Sequence, residues 1–282
     1  MERKIRRMVR GYPTQDGAGV KLIRVLGNET VHDFSPFLML DSFDSTQPAD
    51  YTAGFPLHPH RGIETISYVA KGKMQHKDTL GFEDTVGDGE VQWMTAGSGI
   101  EHEENIPPAE RLLGIQLWMN LPKKDKMCPP AYHAIKHKDI EEIPIAEGQG
   151  TLRLLAGTYL DHTGFQGEYQ PLDYYELILK PGASISLPSD PQKTAMVFTL
   201  SGDAEIAGTS VREKTAAALS EGDTVSIQAP AEGPEIRVLY MSAPALDEPV
   251  AWGGPIVMNT REELHEAFNE LRNGTFIKEL SK

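Results

Sequence analysis

The chain holds a single cysteine, Cys128, among 282 residues. One thiol cannot close an intramolecular disulfide, nor can it build a thiolate-rich metal site. Sparse cysteine fits a reducing compartment. Long apolar runs are missing too. Nothing approaches the ~20 apolar residues of a membrane span, and the basic Met1–Arg10 stretch lacks the roughly 7–15 apolar residues of a secretory signal behind it. The expectation is a cytoplasmic protein with no membrane association. Positive charge is the minority, with 27 Lys and Arg against 41 Asp and Glu, a formal net charge of -14 and a pI near 5.1. Such a field repels phosphates and argues against direct nucleic-acid binding.

Helical periodicity is scarce. Short runs rich in β-branched, leucine and aromatic residues recur instead, at 20–26, 37–43, 63–69, 90–94 and 112–121, and again at 152–155, 174–179, 195–200, 224–227 and 236–241. Punctuated by scattered glycine and proline, they predict an all-β fold of sandwich or barrel type. One helix is expected, near the end: Thr260 and Glu263 form a capping box, Leu264, Phe268 and Leu271 make an apolar stripe, and Asn273-Gly274 stops it.

The chain also duplicates itself loosely. Ser67-Tyr68-Val69-Ala70-Lys71-Gly72 precedes Gly87-Asp88-Gly89-Glu90-Val91, as Val197-Phe198-Thr199-Leu200-Ser201-Gly202 precedes Glu221-Gly222-Asp223-Thr224-Val225. Two copies of strand, glycine turn and "Gly-Asp" turn are best explained by two tandem β-barrels. The expected division is a metal-binding domain over 1–133, a linker over 134–150, a metal-free domain over 151–250 and a helical extension over 251–282. Each barrel buries its own edges, so a monomer is expected.

The chemistry is concentrated in a few of the nine histidines. In His58-Pro59-His60 and in His102-Glu103-Glu104, extended backbone points the first and third side chains to one face. If the two segments are neighbours in one barrel, His58, His60, His102 and Glu104 converge as ligands. The bland alternative is two unrelated surface pairs. Imidazole with oxygen and no sulfur suits one divalent metal. Fe(II) heads the candidates, and Mn, Ni, Cu and Zn accept the same donors. Such a site carries net positive charge and favours an anionic, chelating oxygen ligand.

These residues lie within longer motifs. Gly54-Phe55-Pro56, His58-Pro59-His60-Arg61-Gly62-Ile63-Glu64-Thr65 and Gln92-Trp93-Met94-Thr95-Ala96-Gly97-Ser98-Gly99-Ile100-Glu101-His102 closely resemble the pirin family of the cupin superfamily. So do Phe37-Leu38-Met39-Leu40-Asp41, Gln116-Leu117-Trp118-Met119-Asn120-Leu121 and Gly254-Pro255-Ile256-Val257-Met258-Asn259-Thr260. The resemblance implies a bicupin with a single iron in its first barrel, held by the residues at 58, 60, 102 and 104, and a second barrel without metal. From Gly164 onward the only histidine is His265, which agrees. It further implies similarity to quercetin 2,3-dioxygenases, which cleave flavonols with O₂; the leading expectation is such an Fe(II)-dependent dioxygenase, in which Glu104 takes the substrate's hydroxyl proton. Other family members resemble regulators that bind a protein partner, so an iron-dependent, redox-responsive binding module is the alternative. A sugar- or acid-isomerising cupin fits the barrel but not the motif.

Several residues around the motif have two readings. Glu64, four residues after His60, is a rival ligand or a buried supporting acid. Arg61 holds that acid or a substrate anion, or else a buried salt bridge. His76, followed by Asp78, is a pocket-mouth residue or a satisfied surface histidine. Gln116 faces the pocket if its strand face is the inner one, and Phe55 with Pro56 forms an apolar lip. Trp93 and Met94 read as core.

Overall fold

Strands dominate the computed structural model, which describes residues 1–278. The strands form two compact units, each a jelly-roll with one larger and one smaller sheet.

The unit that carries the clustered histidines comprises Pro13–Leu22, Phe37–Lys136 and the chain from Leu246 onward. Its smaller sheet is ordered Phe55–His60, Ile100–Asn105, Met74–Asp78, Glu83–Val86. Its larger sheet places Ala131–Ile135, Glu90–Thr95, Ile63–Lys71, Leu112–Asn120 and Phe37–Ser45 side by side. Register lines up side chains across the strands. Trp118 is opposite Thr65, Thr65 opposite Met94 and Met94 opposite Tyr132, while Gln116, Ser67, Gln92 and Ala134 make a neighbouring row. Both rows lie on one face, since successive residues alternate sides. That face is the interior, because the Gln116 amide reaches across to Glu104 on the smaller sheet. Val20, Leu22, Phe43, Val69, Met74 and Leu112 supply an apolar cluster in the same unit, each contributing roughly 1.5–3 kcal/mol by burial.

The terminal helix spans Arg261–Asn273 with the expected capping box: Thr260 accepts from the Glu263 backbone, and the Glu263 carboxylate accepts from the Thr260 backbone. Gly274 ends it in the left-handed conformation at φ 70°. Leu264, Phe268 and Leu271 pack against Ile256, Met258, Ala267 and Phe276.

The other unit comprises Met1–Tyr12, Ile23–Pro36 and His137–Ala245. Its larger sheet runs Ile5–Arg10, Thr215–Leu219, Lys193–Ser201, Ile236–Pro244, Asp173–Leu179, Gly150–Ala156, Glu141–Ile145, and its smaller one Ser184–Pro188, Thr224–Gln228, Ala204–Ile206, Thr209–Val211. An apolar cluster that includes Leu154, Tyr175, Leu187, Val225, Ile227 and Tyr240 occupies it.

The division is not sequential along the chain, as the 1–133 and 151–250 boundaries had it. Ile5–Arg10 pairs antiparallel with Thr215–Leu219, which puts the first residues with the later unit. Pairing between residues some two hundred positions apart leaves no local trace. Residues 134–150 carry the strand Glu141–Ile145 and short 3-10 turns. That strand sits at a sheet edge, where proline and charge are tolerated, so the Glu, Pro and Lys content of the segment resembles that of a linker. Of the segment 251–282, residues 279–282 lie outside the described residues.

Candidate metal centre

Two strands bring the histidines together. His58 and His60 alternate with Pro59 on Phe55–His60, and His102 stands directly opposite His58 on Ile100–Asn105. Ring centroids are 4.4 Å apart for His58 and His102, 4.8 Å for His58 and His60, and 5.1 Å for His60 and His102. One ligand atom from each lies within 4.8 Å of the others. Two glycines let the backbone do this. Gly54, at φ 64°, opens the strand so close to Glu104 that a Cβ would meet its carbonyl at 2.6 Å. Gly62, at φ 77°, ends it against Val257, whose carbonyl would be 2.0 Å from a Cβ.

Two of the imidazoles are held through Nδ1 by backbone carbonyls. His58 Nδ1 lies 2.8 Å from the Pro56 carbonyl and His60 Nδ1 3.1 Å from the Pro255 carbonyl. A carbonyl only accepts, so both Nδ1 atoms carry the proton and both Nε2 atoms keep a lone pair. His102 Nδ1 contacts His76 Nδ1 at 3.3 Å, and its Nε2 is buried with no hydrogen-bond partner. Burial, with His58 beside it, pushes the His60 pKa down to about 3. Burial, with His60, His58 and His76 around it, holds that of His102 well below the ordinary histidine range. Both rings are thus neutral at physiological pH, the form that donates a lone pair. A buried, unpartnered imidazole nitrogen is costly unless something binds it. The donor set fits a divalent cation.

Glu104 shares the buried face with His102. It is not within the close histidine group; a register shift between His102 and Glu104 sets it opposite Phe55. Both carboxylate oxygens take a hydrogen bond from Gln116 Nε2, at 3.1 and 2.9 Å. Gln116 thus lies on the inner face, toward Glu104. Phe55 is half-buried and packs edge-on against Phe43.

The remaining candidates go elsewhere. Glu64 does not share the face of His60, because the chain turns at Gly62 and strand alternation does not carry across a turn. It lies on the side opposite Thr65, and its Oε1 accepts from Trp93 Nε1 at 3.1 Å and Thr95 Oγ1 at 2.8 Å. It is neither in the pocket nor among the ligands. Arg61 is not a pocket residue either. It is buried, donating to the Ser98 and Phe276 carbonyls, pairing with Glu270 at 2.7 Å and lying 4.1 Å from the Phe276 ring centre. The salt-bridge reading of Arg61 is the one the structure bears out. His76 is buried rather than at the surface, with Nε2 2.8 Å from Asp78 Oδ2.

Three contributors escape a sequence reading. Trp118 meets the His60 ring edge-on at 5.0 Å; its place follows from alternation once Gln116 is known to face inward. Tyr132 stacks on His76 at 4.1 Å. Lys126 is buried and donates to the Gly62 carbonyl at 2.8 Å, the Val257 carbonyl at 2.9 Å and Asn120 Oδ1 at 2.7 Å, tying the ligand turn to the C-terminal segment. Burial lowers its pKa to about 7. Contacts such as Pro255 to His60 join residues far apart in sequence and carry no local signal.

Comparison with known proteins agrees with this architecture. The Pirin family model matches residues 19–119, and that of the pirin C-terminal cupin domain matches 174–277. A pirin-like protein of Caulobacter vibrioides is 39% identical, over 97% of this chain and 99% of that one. Human pirin is 36% identical over 96% of this chain and 93% of its own length. A crystal structure of quercetin 2,3-dioxygenase from Acinetobacter baumannii superposes with a TM-score of 0.89 at 33% identity, covering 99% of this chain and all of the other. The chain is a bicupin and belongs to the pirin family.

Proposed function

We propose that the first barrel is a mononuclear Fe(II) centre and that the protein is a quercetin 2,3-dioxygenase-type enzyme, cleaving a flavonol with O₂. The observation that carries the metal reading is the trio of Nε2 atoms, two freed by Nδ1–carbonyl contacts and one buried without a partner. Likeness to the Acinetobacter baumannii quercetin 2,3-dioxygenase supports the reaction class.

A divalent iron held by His58, His60 and His102 would supply a Lewis acid for the vicinal oxygens of a flavonol and a route for electrons to O₂. Glu104 is the proton acceptor. It stands on the same buried face, in reach of Gln116, whose amide holds both oxygens and aims the carboxylate. On the proposal Glu104 also serves as the fourth ligand when metal is bound. Trp118, Thr65 and Met94 give the interior wall a largely apolar face, suited to a flat aromatic ring and to excluding water.

The test is oxygen uptake by anaerobically iron-loaded protein on adding quercetin. Stoichiometric O₂ consumption with loss of the flavonol absorbance, absent in His58→Ala, is expected. Glu104→Gln should retain iron and lose turnover. Iron-loaded protein that consumes no O₂ would contradict the enzymatic reading and leave the redox-responsive binding module.

A further inference from the structure

Of the three clustered imidazoles, His58 and His60 have a backbone carbonyl to hold their Nδ1–H; His102 does not. Its Nδ1 faces a second imidazole, His76, at 3.3 Å. Two histidine nitrogens at that distance are compatible only if one carries the proton and the other a lone pair. Which does so is decided one residue further out. Met74–Asp78 lies beside Ile100–Asn105 with Asp78 opposite His102 and His76 opposite Glu104. Alternation turns His76 and Asp78 to the same buried face, where their side chains are 1% and 0% exposed.

Asp78 Oδ1 accepts the backbone N–H groups of Leu80 at 2.9 Å and Phe82 at 3.1 Å. Those bonds fix the carboxylate within the turn that follows the strand and leave Oδ2 directed at His76 Nε2, 2.8 Å away. A carboxylate that takes two backbone donors acts as an acceptor, so in the neutral imidazole His76 Nε2 carries the proton and Nδ1 the lone pair. His102 Nδ1 must then donate, and the lone pair of His102 falls on Nε2, the buried atom with no other partner. Tyr132, stacked on His76 at 4.1 Å with planes 14° apart, restrains the ring from turning out of this chain.

We infer that Asp78 and His76 form a positioning pair that fixes the tautomer of His102, doing for the third ligand what the Pro56 and Pro255 carbonyls do for the other two. The inference rests on the metal reading above and gives His76 a role other than lining a substrate pocket. The polarity of the chain is set at Asp78, so the effect is sensitive to which group donates and not only to shape.

The variant that separates the two is Asp78→Asn. Its carbonyl still serves the turn, while its amide offers an N–H to His76 Nε2. The chain then reverses, His76 Nδ1 gains the proton and His102 is left protonated on Nε2. Two readouts apply to the full-length protein: Co(II) affinity by chelator competition, and the protonated nitrogen of each imidazole in the metal-free, ¹⁵N-histidine-labelled protein. Co(II) affinity should fall about 10- to 100-fold in Asp78→Asn, the usual range when a ligand's supporting group is changed, with the His102 signal moving from Nδ1–H to Nε2–H. His76→Gln, which restores an acceptor, should bind Co(II) more tightly than His76→Leu. Co(II) affinity in Asp78→Asn within twofold of the parent, or Nε2–H on His102 in the parent protein, would overturn the inference. Should Asp78→Asn fail to fold, the parent tautomer and the His76 pair decide. A parent protein with Nδ1–H on His102 that binds no Co(II) would defeat the metal reading and leave the pairing standing.

Discussion

The two barrels share a strand plan and differ in what they put inside it. In the first, the smaller sheet sets Phe55–His60 beside Ile100–Asn105; in the second, Ser184–Pro188 lies beside Thr224–Gln228 in the same position of the order. Where His102 faces His58 in one, Val225 faces Leu187 in the other. Where the next strand buries Met74, His76 and Asp78, the corresponding strand buries Ala204 and Ile206. One interior holds, among apolar side chains, polar groups that need a ligand or each other; the other is packed with aliphatic and tyrosine side chains. Scaffold and chemistry are therefore separable. The second barrel shows what the fold is like when its interior is packed with apolar side chains, and the first carries a buried imidazole nitrogen without a hydrogen-bond partner.

Substitutions that make one barrel resemble the other test this contrast. The largest effect should come from His102→Val, which copies the second barrel into the first. Metal affinity should drop by at least about 10³-fold with one ligand gone, while the metal-free protein gains about 1–2 kcal/mol from losing a buried unpartnered group. Competition titration and thermal melts of the metal-free protein read both. The reverse change, Val225→His, buries an imidazole among apolar neighbours and should cost about 2–4 kcal/mol in denaturant unfolding, with no metal gained.

The pH dependence should likewise belong to the first barrel. His60, lowered to about 3, and His102, lowered well below its ordinary value, bind protons more readily unfolded than folded. Metal-free protein should be most stable above about pH 6.5 and lose stability as pH falls toward about 3, by up to about 1.4 kcal/mol per pH unit for each group. Melts across that range should show a shallower slope for His60→Leu. The smallest effect should be Gln116→Leu, which removes the two contacts to Glu104 and should change metal-free stability by about 1 kcal/mol. On the proposed mechanism it should lower kcat more than it raises KM, as steady-state kinetics would show.

Much of this was legible in the sequence, and the reasons are local. Alternation gives the strands, Thr260 and Glu263 announce the helix, and an x-Pro-x pair of histidines in extended backbone points both rings one way. Glu64 shows where local reasoning stops: the four-residue spacing from His60 fits one strand face only if the strand is unbroken, and Gly62 breaks it. Met1–Tyr12 shows the same at the level of domains, since the pairing of Ile5–Arg10 with Thr215–Leu219 rests on no nearby residue. Pro255 meets His60 and Phe276 meets Arg61 from 195 and 215 positions away, and only the folded chain brings them together.

The central claim is that one barrel is a metal site and the other is not. Crystals of the iron-loaded protein, measured for anomalous scattering at the iron edge, test it most directly. The account predicts a single peak within bonding distance, about 2.0–2.2 Å, of the Nε2 atoms of His58, His60 and His102, and none in the second barrel. Iron at any other place, or no peak from protein that binds iron in solution, would contradict it.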